Sequence, residues 1–259
     1  MTRKLIAFDI DGTLLDSHGR VLPSTVTALE KLRQAGHLVT IASGRSRFLA
    51  QEILTRYHFE NYLLVNGAAA FINHQQVVKK VLDTPELDRL IAFATELGID
   101  VSYQNLDEIH RYQAEILPTV QQAMDSFRTQ VPSHNPDFYR THEIYQAIAY
   151  YDASFDEQFA AADFQQFDLV RWHPSGVDII PKNNSKAAGL IKMAEIAKIA
   201  HEDIIVFGDG LNDREMLRLA GVGVAMGNAS AEVKDSADLV TADNNSDGIY
   251  QALQQLALL

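Results

Sequence analysis

The chain has 259 residues, 22 Lys+Arg against 34 Asp+Glu for a formal charge of −12, no cysteine and 47% hydrophobic residues. At roughly 150 residues per domain, this length suits one large domain or a core with an insert, large enough to need no covalent staples. The acidic balance argues against a nucleic-acid binder. The lack of cysteine excludes disulfide frameworks, thiolate zinc sites and cysteine nucleophiles, and no apolar run reaches the ~18 residues of a membrane span.

The first apolar run, Leu5–Phe8, ends at Asp9, and similar runs recur at Leu38–Ala42, Tyr62–Val65, Ile204–Phe207 and Val222–Ala225. They are short and apolar without alternation, the pattern of strands buried on both faces of a parallel sheet. Helical spacing lies between several of them, over Thr25–Ala35, Arg47–Tyr57 and Asp213–Ala220. Strand–helix alternation indicates an α/β domain. Asp9, Asp11, Asp16 and Glu30 are foreign to a secretory leader, so a soluble cytoplasmic protein is expected, monomeric or homodimeric, with no membrane partner.

The middle of the chain reads differently. Thr84-Pro85 opens a helix with Leu87, Leu90, Ile91, Ala94 and Leu97 in step. Asp100–Gln104 and Glu108–Gln113 read as a hairpin, Glu143–Tyr151 as a strand and Phe155–Gln166 as a helix. Leu169–His173 and Val177–Ile180 form a second hairpin around Pro174-Ser175-Gly176. The expected fold is therefore α/β, a Rossmann-like parallel-sheet core of residues 1–83 and 182–259, with an inserted α+β cap of residues 84–181.

Four polar clusters follow core strands: Asp9-Ile10-Asp11-Gly12, Ser43-Gly44-Arg45, Asn66-Gly67 and Gly208-Asp209-Gly210-Leu211-Asn212-Asp213. Any one of them is an ordinary turn, but in an open parallel sheet these strand ends share one edge, where ligands bind at the point of strand-order reversal. Carboxylates brought together there repel unless a cation joins them, and an all-oxygen donor set suits a hard ion, magnesium (Mg2+) above all. No His-x-His or His-x-x-x-His spacing offers zinc a site.

Asp9-Ile10-Asp11-Gly12-Thr13 resembles the first motif of the haloacid dehalogenase superfamily of phosphohydrolases. Ser43, Lys186 in Asn184-Ser185-Lys186, and Gly208-Asp209-x-x-Asn212-Asp213 resemble the second, third and fourth. The insert is similar to the C2B cap of the Cof-like sugar-phosphate phosphatases. Ala187 stands where that family usually has glycine, which leaves Lys182 as the other lysine to consider.

The resemblance implies a Mg2+-dependent phosphatase acting on a small phosphorylated metabolite. It implies Asp9 as the nucleophile that forms an aspartyl-phosphate and Asp11 as general acid and then base. It implies Asp9, the Asp11 carbonyl and Asp209 as metal ligands, with Asp213 direct or through water. Ser43 and Lys186 would hold the phosphoryl group, with Gly12, Gly44, Arg45, Asn66, Gly67 and Asn212 as further phosphate or substrate contacts. A phosphosugar mutase is the alternative among enzymes, although only Leu14–Leu22 stands where such mutases carry a cap. A non-catalytic sugar-phosphate-binding protein is the alternative outside them. Loss of Asp9, Asp11 or Asp209 would mark it, and all three are present. Tyr103, His110, Arg111, Tyr112, Arg171, Trp172 and His173 are candidate lid residues, each more simply read as a residue of the cap sheet.

Overall fold

The computed structural model describes residues 2–126 and 129–259. In chain order, β1 (Leu5–Phe8), α1 (Pro23–Gln34), β2 (Leu38–Ala42), α2 (Arg47–Arg56), β3 (Asn61–Leu64), β4 (Ala69–Ile72) and β5 (Gln75–Lys79) come first. Then follow α3 (Thr84–Glu96), β6 (Val101–Gln104), β7 (Ile109–Arg111), α4 (Pro118–Ser126), β8 (Ser133–His134), α5 (Phe138–Thr141), β9 (Gln146–Ala149), α6 (Asp156–Ala161), β10 (Phe167–His173) and β11 (Gly176–Pro181). The chain closes with α7 (Lys186–Ala197), β12 (Ile204–Gly208), α8 (Arg214–Leu219), β13 (Val222–Ala225), α9 (Ala231–Lys234), β14 (Leu239–Val240) and α10 (Gly248–Gln255).

Internal packing groups Met1–Arg45, Leu49–Lys79 and Ser185–Leu259 as one unit, and Ser46–Phe48 with Lys80–Asn184 as a second. Ser46–Phe48 group with the second unit, where the Phe48 N–H donates to the Leu106 carbonyl at 3.0 Å.

The first unit is built on one sheet in the order β14-β13-β12-β1-β2-β3-β4-β5. The strands from β14 to β3 run parallel, and the α/β core expected from sequence is present. Strand order reverses at β1, which lies between β2 and β12. All four residues of β1 are buried, and so are all five of β2 and of β12, because helices cover the sheet. Helix α7 presents Ala187, Leu190, Met193 and Ala194 to Leu5, Ala7, Leu63 and Val206. Phe8 and Phe207 stack at 4.9 Å across the β1–β12 pair, a contact worth about 0.5–1.5 kcal/mol beyond its buried area.

The β4–β5 hairpin was not expected. It adds an antiparallel edge beyond β3, joined by Asn73-His74 with φ of 49° and 61°. Two successive positive φ values make the turn that matches strand twist, here without the usual glycine. Short β14 was also not expected.

The second unit has a six-stranded sheet, β10-β11-β9-β6-β7-β8, antiparallel except for the β7–β8 pair. The two expected hairpins are β6–β7 and β10–β11. Leu87, Leu90, Ile91 and Ala94 of α3 pack with Val101, Tyr103, Ala147, Val177 and Ile179. The Asp83 side chain caps α3 by accepting the Glu86 N–H. Two expectations fail at their ends. The strand expected over Glu143–Tyr151 is confined to β9, and the helix over Phe155–Gln166 stops at Ala161, shortly before Asp163 turns left-handed at φ 51°. Helix α4, absent from the sequence reading, covers Ile148 and Tyr150 with Val120, Ala123 and Met124.

Candidate active site

Asp9 leaves β1 with its N–H on the Phe207 carbonyl at 3.0 Å, so it stands at the carboxyl edge of the sheet. The chain then makes one wide turn, in which the Leu14 N–H donates back to the Asp9 carbonyl at 3.1 Å. Gly12 has φ +81°, and a Cβ there would overlap the Asp209 carboxylate; only glycine satisfies both demands. Thr13 Oγ1 donates to Asp209 Oδ1 at 2.8 Å. Asp16 closes the following loop by accepting from the His18 and Arg20 N–H groups, a structural use of a fourth carboxylate.

Lys186 opens α7, whose Ser185 cap accepts the Ala188 N–H at 3.2 Å. Its side chain is 1% exposed, and Nζ lies 2.5 Å from Asp9 Oδ1 and 2.7 Å from Asp213 Oδ1. Lys182 pairs with Asp168 in the other unit at 2.7 Å and is half exposed, so Lys186 is the lysine of this cluster. Asp213 is fully buried. Its Oδ2 accepts from the backbone N–H groups of Asp209 at 3.0 Å and Gly210 at 2.9 Å. Both its oxygens are thus engaged by protein donors.

Asp9, Asp209 and Asp213 each offer an oxygen within 4.8 Å of the others. Three carboxylates against the single ammonium of Lys186 leave a formal −2, which a divalent cation cancels. The titration directions agree. Burial and Asp213 push Asp9 up to about 8 against the pull of Lys186. Burial first, then Asp213 and Asp11, push Asp209 up while the Thr13 hydrogen bond pulls it down. Burial alone would lower the Lys186 ammonium; Asp213 and Asp9 overcome it and hold it above its ordinary value. The cluster is short of positive charge, and its donors are hard oxygens, so the residues fit a divalent ion of the Mg2+ type.

The remaining expected residues surround this cluster in the same unit. Ser43 follows β2, is 2% exposed, and accepts the Arg45 N–H on Oγ at 3.1 Å. Arg45 grips the Asp11 carboxylate with two bonds, Nη2 to Oδ1 at 2.6 Å and Nε to Oδ2 at 2.9 Å. Asp11 itself is exposed and lies outside the carboxylate triad.

After β3, Val65 and Asn66 both take φ near +51°, a strain of about 1–3 kcal/mol per residue that surrounding bonds must hold. The Val65 N–H reaches the Arg45 carbonyl at 3.0 Å, and the Asn66 N–H the Ser43 carbonyl at 3.0 Å. Asn212 Nδ2 donates to Asn66 Oδ1 at 3.2 Å, and a Cβ on Gly44 would stand 3.1 Å from the same oxygen. Gly67, at φ +100°, lets the backbone close on the Ser185 carbonyl.

Sequence reasoning missed two side chains. Thr13 entered only as part of the first motif, and Asn228 carried no assignment at all. Asn228 follows β13, a core strand whose carboxyl end shares the same edge, and that position was the available signal. The expected lid residues turn out to be engaged within the second unit. Tyr103 is fully buried with its hydroxyl on the Asn135 carbonyl at 2.6 Å. Arg111 is buried and donates to the carbonyls of Pro132, Gln113, Ala114 and Glu115. His110 bridges Glu108 and Ser133, Tyr112 packs against the core of that unit and Trp172 against the α4 cluster. Arg171 holds the Tyr151, His173 and Pro174 carbonyls and Asp156, and His173 Nδ1 accepts the Ser175 N–H.

Comparison with known proteins bears on this geometry. Residues 6–253 match the model of the haloacid dehalogenase-like hydrolase family. The chain is 38% identical to a putative phosphatase, YkrA, of Bacillus subtilis (strain 168), over the full length of both. It is 31% identical to the 5-amino-6-(5-phospho-D-ribitylamino)uracil phosphatase YitU of the same organism, covering 97% of this chain and 96% of that one. Among solved structures, BT1666 from Bacteroides thetaiotaomicron, described as a phosphatase of the same superfamily, superposes with a TM-score of 0.91 at 28% identity, covering 100% of this chain and 96% of that one. The chain therefore belongs to the haloacid dehalogenase-like hydrolases.

Proposed function

We propose that this protein is a Mg2+-dependent phosphomonoesterase that hydrolyses a small phosphorylated metabolite, of the sugar-phosphate kind, through a phosphoryl group carried on Asp9. The observation that carries the reading is the buried Lys186 ammonium between Asp9 and Asp213, with Asp209 completing a triad of net charge −2. A divalent cation held by Asp9, Asp209 and the Asp11 carbonyl supplies the positive charge that stabilises a transferring phosphoryl group.

Asp9 is the nucleophile. Its Oδ1 is held by Lys186, which leaves Oδ2 to attack phosphorus. The ester P–O bond breaks as the Asp9 O–P bond forms, and protonated Asp11 gives its proton to the leaving alkoxide. The resulting Asp11 carboxylate then takes a proton from water, which attacks phosphorus, releases inorganic phosphate and restores Asp9. Asp11 must leave its pair with Arg45 to do this. That pair is partly to well exposed, at 31% and 63%, so breaking it costs only about 0–1 kcal/mol. Ser43 and the N–H groups near Gly12 and Gly44 hold phosphoryl oxygens, and Asn66 and Asn212 line the substrate side. Asp213 orients Lys186 and the backbone of Asp209. The second unit takes the part of a cap that selects substrates.

A screen of phosphate esters for phosphate release, with EDTA and then Mg2+, tests the reading. Activity lost with EDTA and regained with Mg2+ is expected. Full turnover in metal-free buffer would overturn the metal assignment.

A further inference from the structure

The loop after β13 reaches back into the carboxylate cluster. The Met226 N–H donates to the Gly208 carbonyl at 3.0 Å, the Gly227 N–H to the Ala242 carbonyl at 3.0 Å, and Lys234 Nζ to the Gly227 carbonyl at 2.7 Å. These bonds fix the backbone just before Asn228. From there Asn228 Nδ2 donates twice, to the Gly12 carbonyl at 2.9 Å and to Asp209 Oδ2 at 3.1 Å. Asn228 Oδ1 accepts the Asn244 N–H at 3.1 Å, and Asn244 Nδ2 donates to the Leu15 carbonyl at 2.8 Å. The amide has only one sensible orientation. Reversing it would set an oxygen against two oxygens and an NH2 against an N–H.

We propose that Asn228 is a positioning residue for the metal centre: its amide fixes the Asp209 carboxylate and the turn that carries Asp11 and Gly12 relative to each other. The proposal rests on the metal-dependent reading above. With Thr13 on Oδ1 and Asn228 on Oδ2, Asp209 is held at both oxygens by neutral donors. Neutrality matters, because an ammonium or guanidinium in this place would compete with the cation for Asp209. An amide orients the carboxylate and leaves its charge available. The same amide ties together chain segments nearly 200 residues apart, Gly12 and Asp209, that must both stay in register for one ion to be bound.

The experiment is a Mn2+ titration followed by electron paramagnetic resonance, without substrate, on wild type, Asn228→Ala and Asn228→Leu. Ala leaves room for water and Leu fills it, so agreement between them isolates the lost donor. Both variants are expected to bind Mn2+ about 10–100-fold more weakly. Their metal-free melting temperature should fall by only a few degrees at most, about 2–4 °C per kcal/mol lost, because the bonds Asn228 makes lie at the surface. Phosphatase turnover should recover as the metal concentration is raised. Binding within about twofold of wild type in both variants would overturn the proposal. So would an affinity loss that comes with an equal loss of metal-free stability. If wild type itself neither binds Mn2+ nor responds to Mg2+ in phosphate release, the functional reading fails first and this inference with it.

Discussion

The Lys186 ammonium lies 2.5 Å from Asp9 Oδ1 and 2.7 Å from Asp213 Oδ1, with lysine and both carboxylates almost wholly buried. One cation thereby holds together the end of β1 and the starts of α7 and α8. Removing one member of such a cluster leaves charge buried without compensation, at a cost of about 3–5 kcal/mol. Lys186→Met should lose about that much stability in metal-free urea titrations, and Mg2+ should restore part of it. A variant as stable as wild type without metal would show that Asp9 and Asp213 do not need the ammonium.

Asp11 is the one site carboxylate at the surface, held by Arg45. In the proposed mechanism Asp11 is the acid/base group, so Asp11→Asn should slow hydrolysis of alkyl phosphates by about 10²–10⁴. With p-nitrophenyl phosphate, whose leaving group needs little protonation, the loss in single-turnover transfer to Asp9 should be much smaller. Equal losses on both esters would remove Asp11 from the role of acid.

Gly12→Ala places a Cβ where the Asp209 carboxylate lies, at a φ of +81° that L side chains resist. The fold should survive, as judged by circular dichroism, because the strain is confined to one turn. Displacing the proposed ligand carboxylate by the order of 1 Å should cost at least about 100-fold in turnover. Near-normal activity would show that the turn and Asp209 tolerate a rearrangement.

In the second unit, burial pushes Asp178 up to about 7, against the opposing pull of its polar neighbours Gln146 and Trp172. A carboxyl whose folded value is raised binds more protons in the folded state. Its contribution is therefore fully present below the unfolded value near 3.8 and is lost as pH rises through about 7. Asp178→Asn should flatten the fall in melting temperature between about pH 4 and pH 8 and be the more stable protein at the upper end. A wild-type profile that rises over this range, with no change in the variant, would contradict the assignment.

Tyr103 separates the structure of the second unit from substrate choice. Tyr103→Phe deletes a buried hydroxyl and leaves the Asn135 carbonyl without that donor, at a cost of about 1–3 kcal/mol. Relative rates across several phosphate esters should stay unchanged. A shift in preference among esters would show that this buried residue communicates with the substrate.

Much of this site was legible before any coordinates. Buried parallel strands announce themselves as short apolar runs, and the residues just past Phe8, Ala42, Leu64 and Gly208 must share an edge once those strands are parallel neighbours. The convergence of Asp9, Ser43, Asn66 and Asp209 follows from that topology. The family motifs supplied the expected roles, and Lys186 came from them alone, since a single lysine on a helix carries no pattern of its own. Less visible were elements with weak local signals: the β4–β5 hairpin turns on Asn73-His74 without glycine, and α6 ends early because Asp163 goes left-handed.

What the sequence by itself determined was the α/β core, the interrupting α+β segment, and the collection of carboxylates at one sheet edge, because strand period, helix caps and strand-end polarity are local properties. Only the tertiary structure decided which groups face each other. Asp213 is turned inward to hold Lys186 and two backbone N–H groups; Asp11 is turned outward to Arg45; Arg111 and Tyr103 are spent on the second unit's own carbonyls; and Asn228 is drawn onto Asp209. Side-chain direction at a strand end is set by hydrogen-bond partners supplied from distant parts of the chain, and those partners exist only once the sheet has formed.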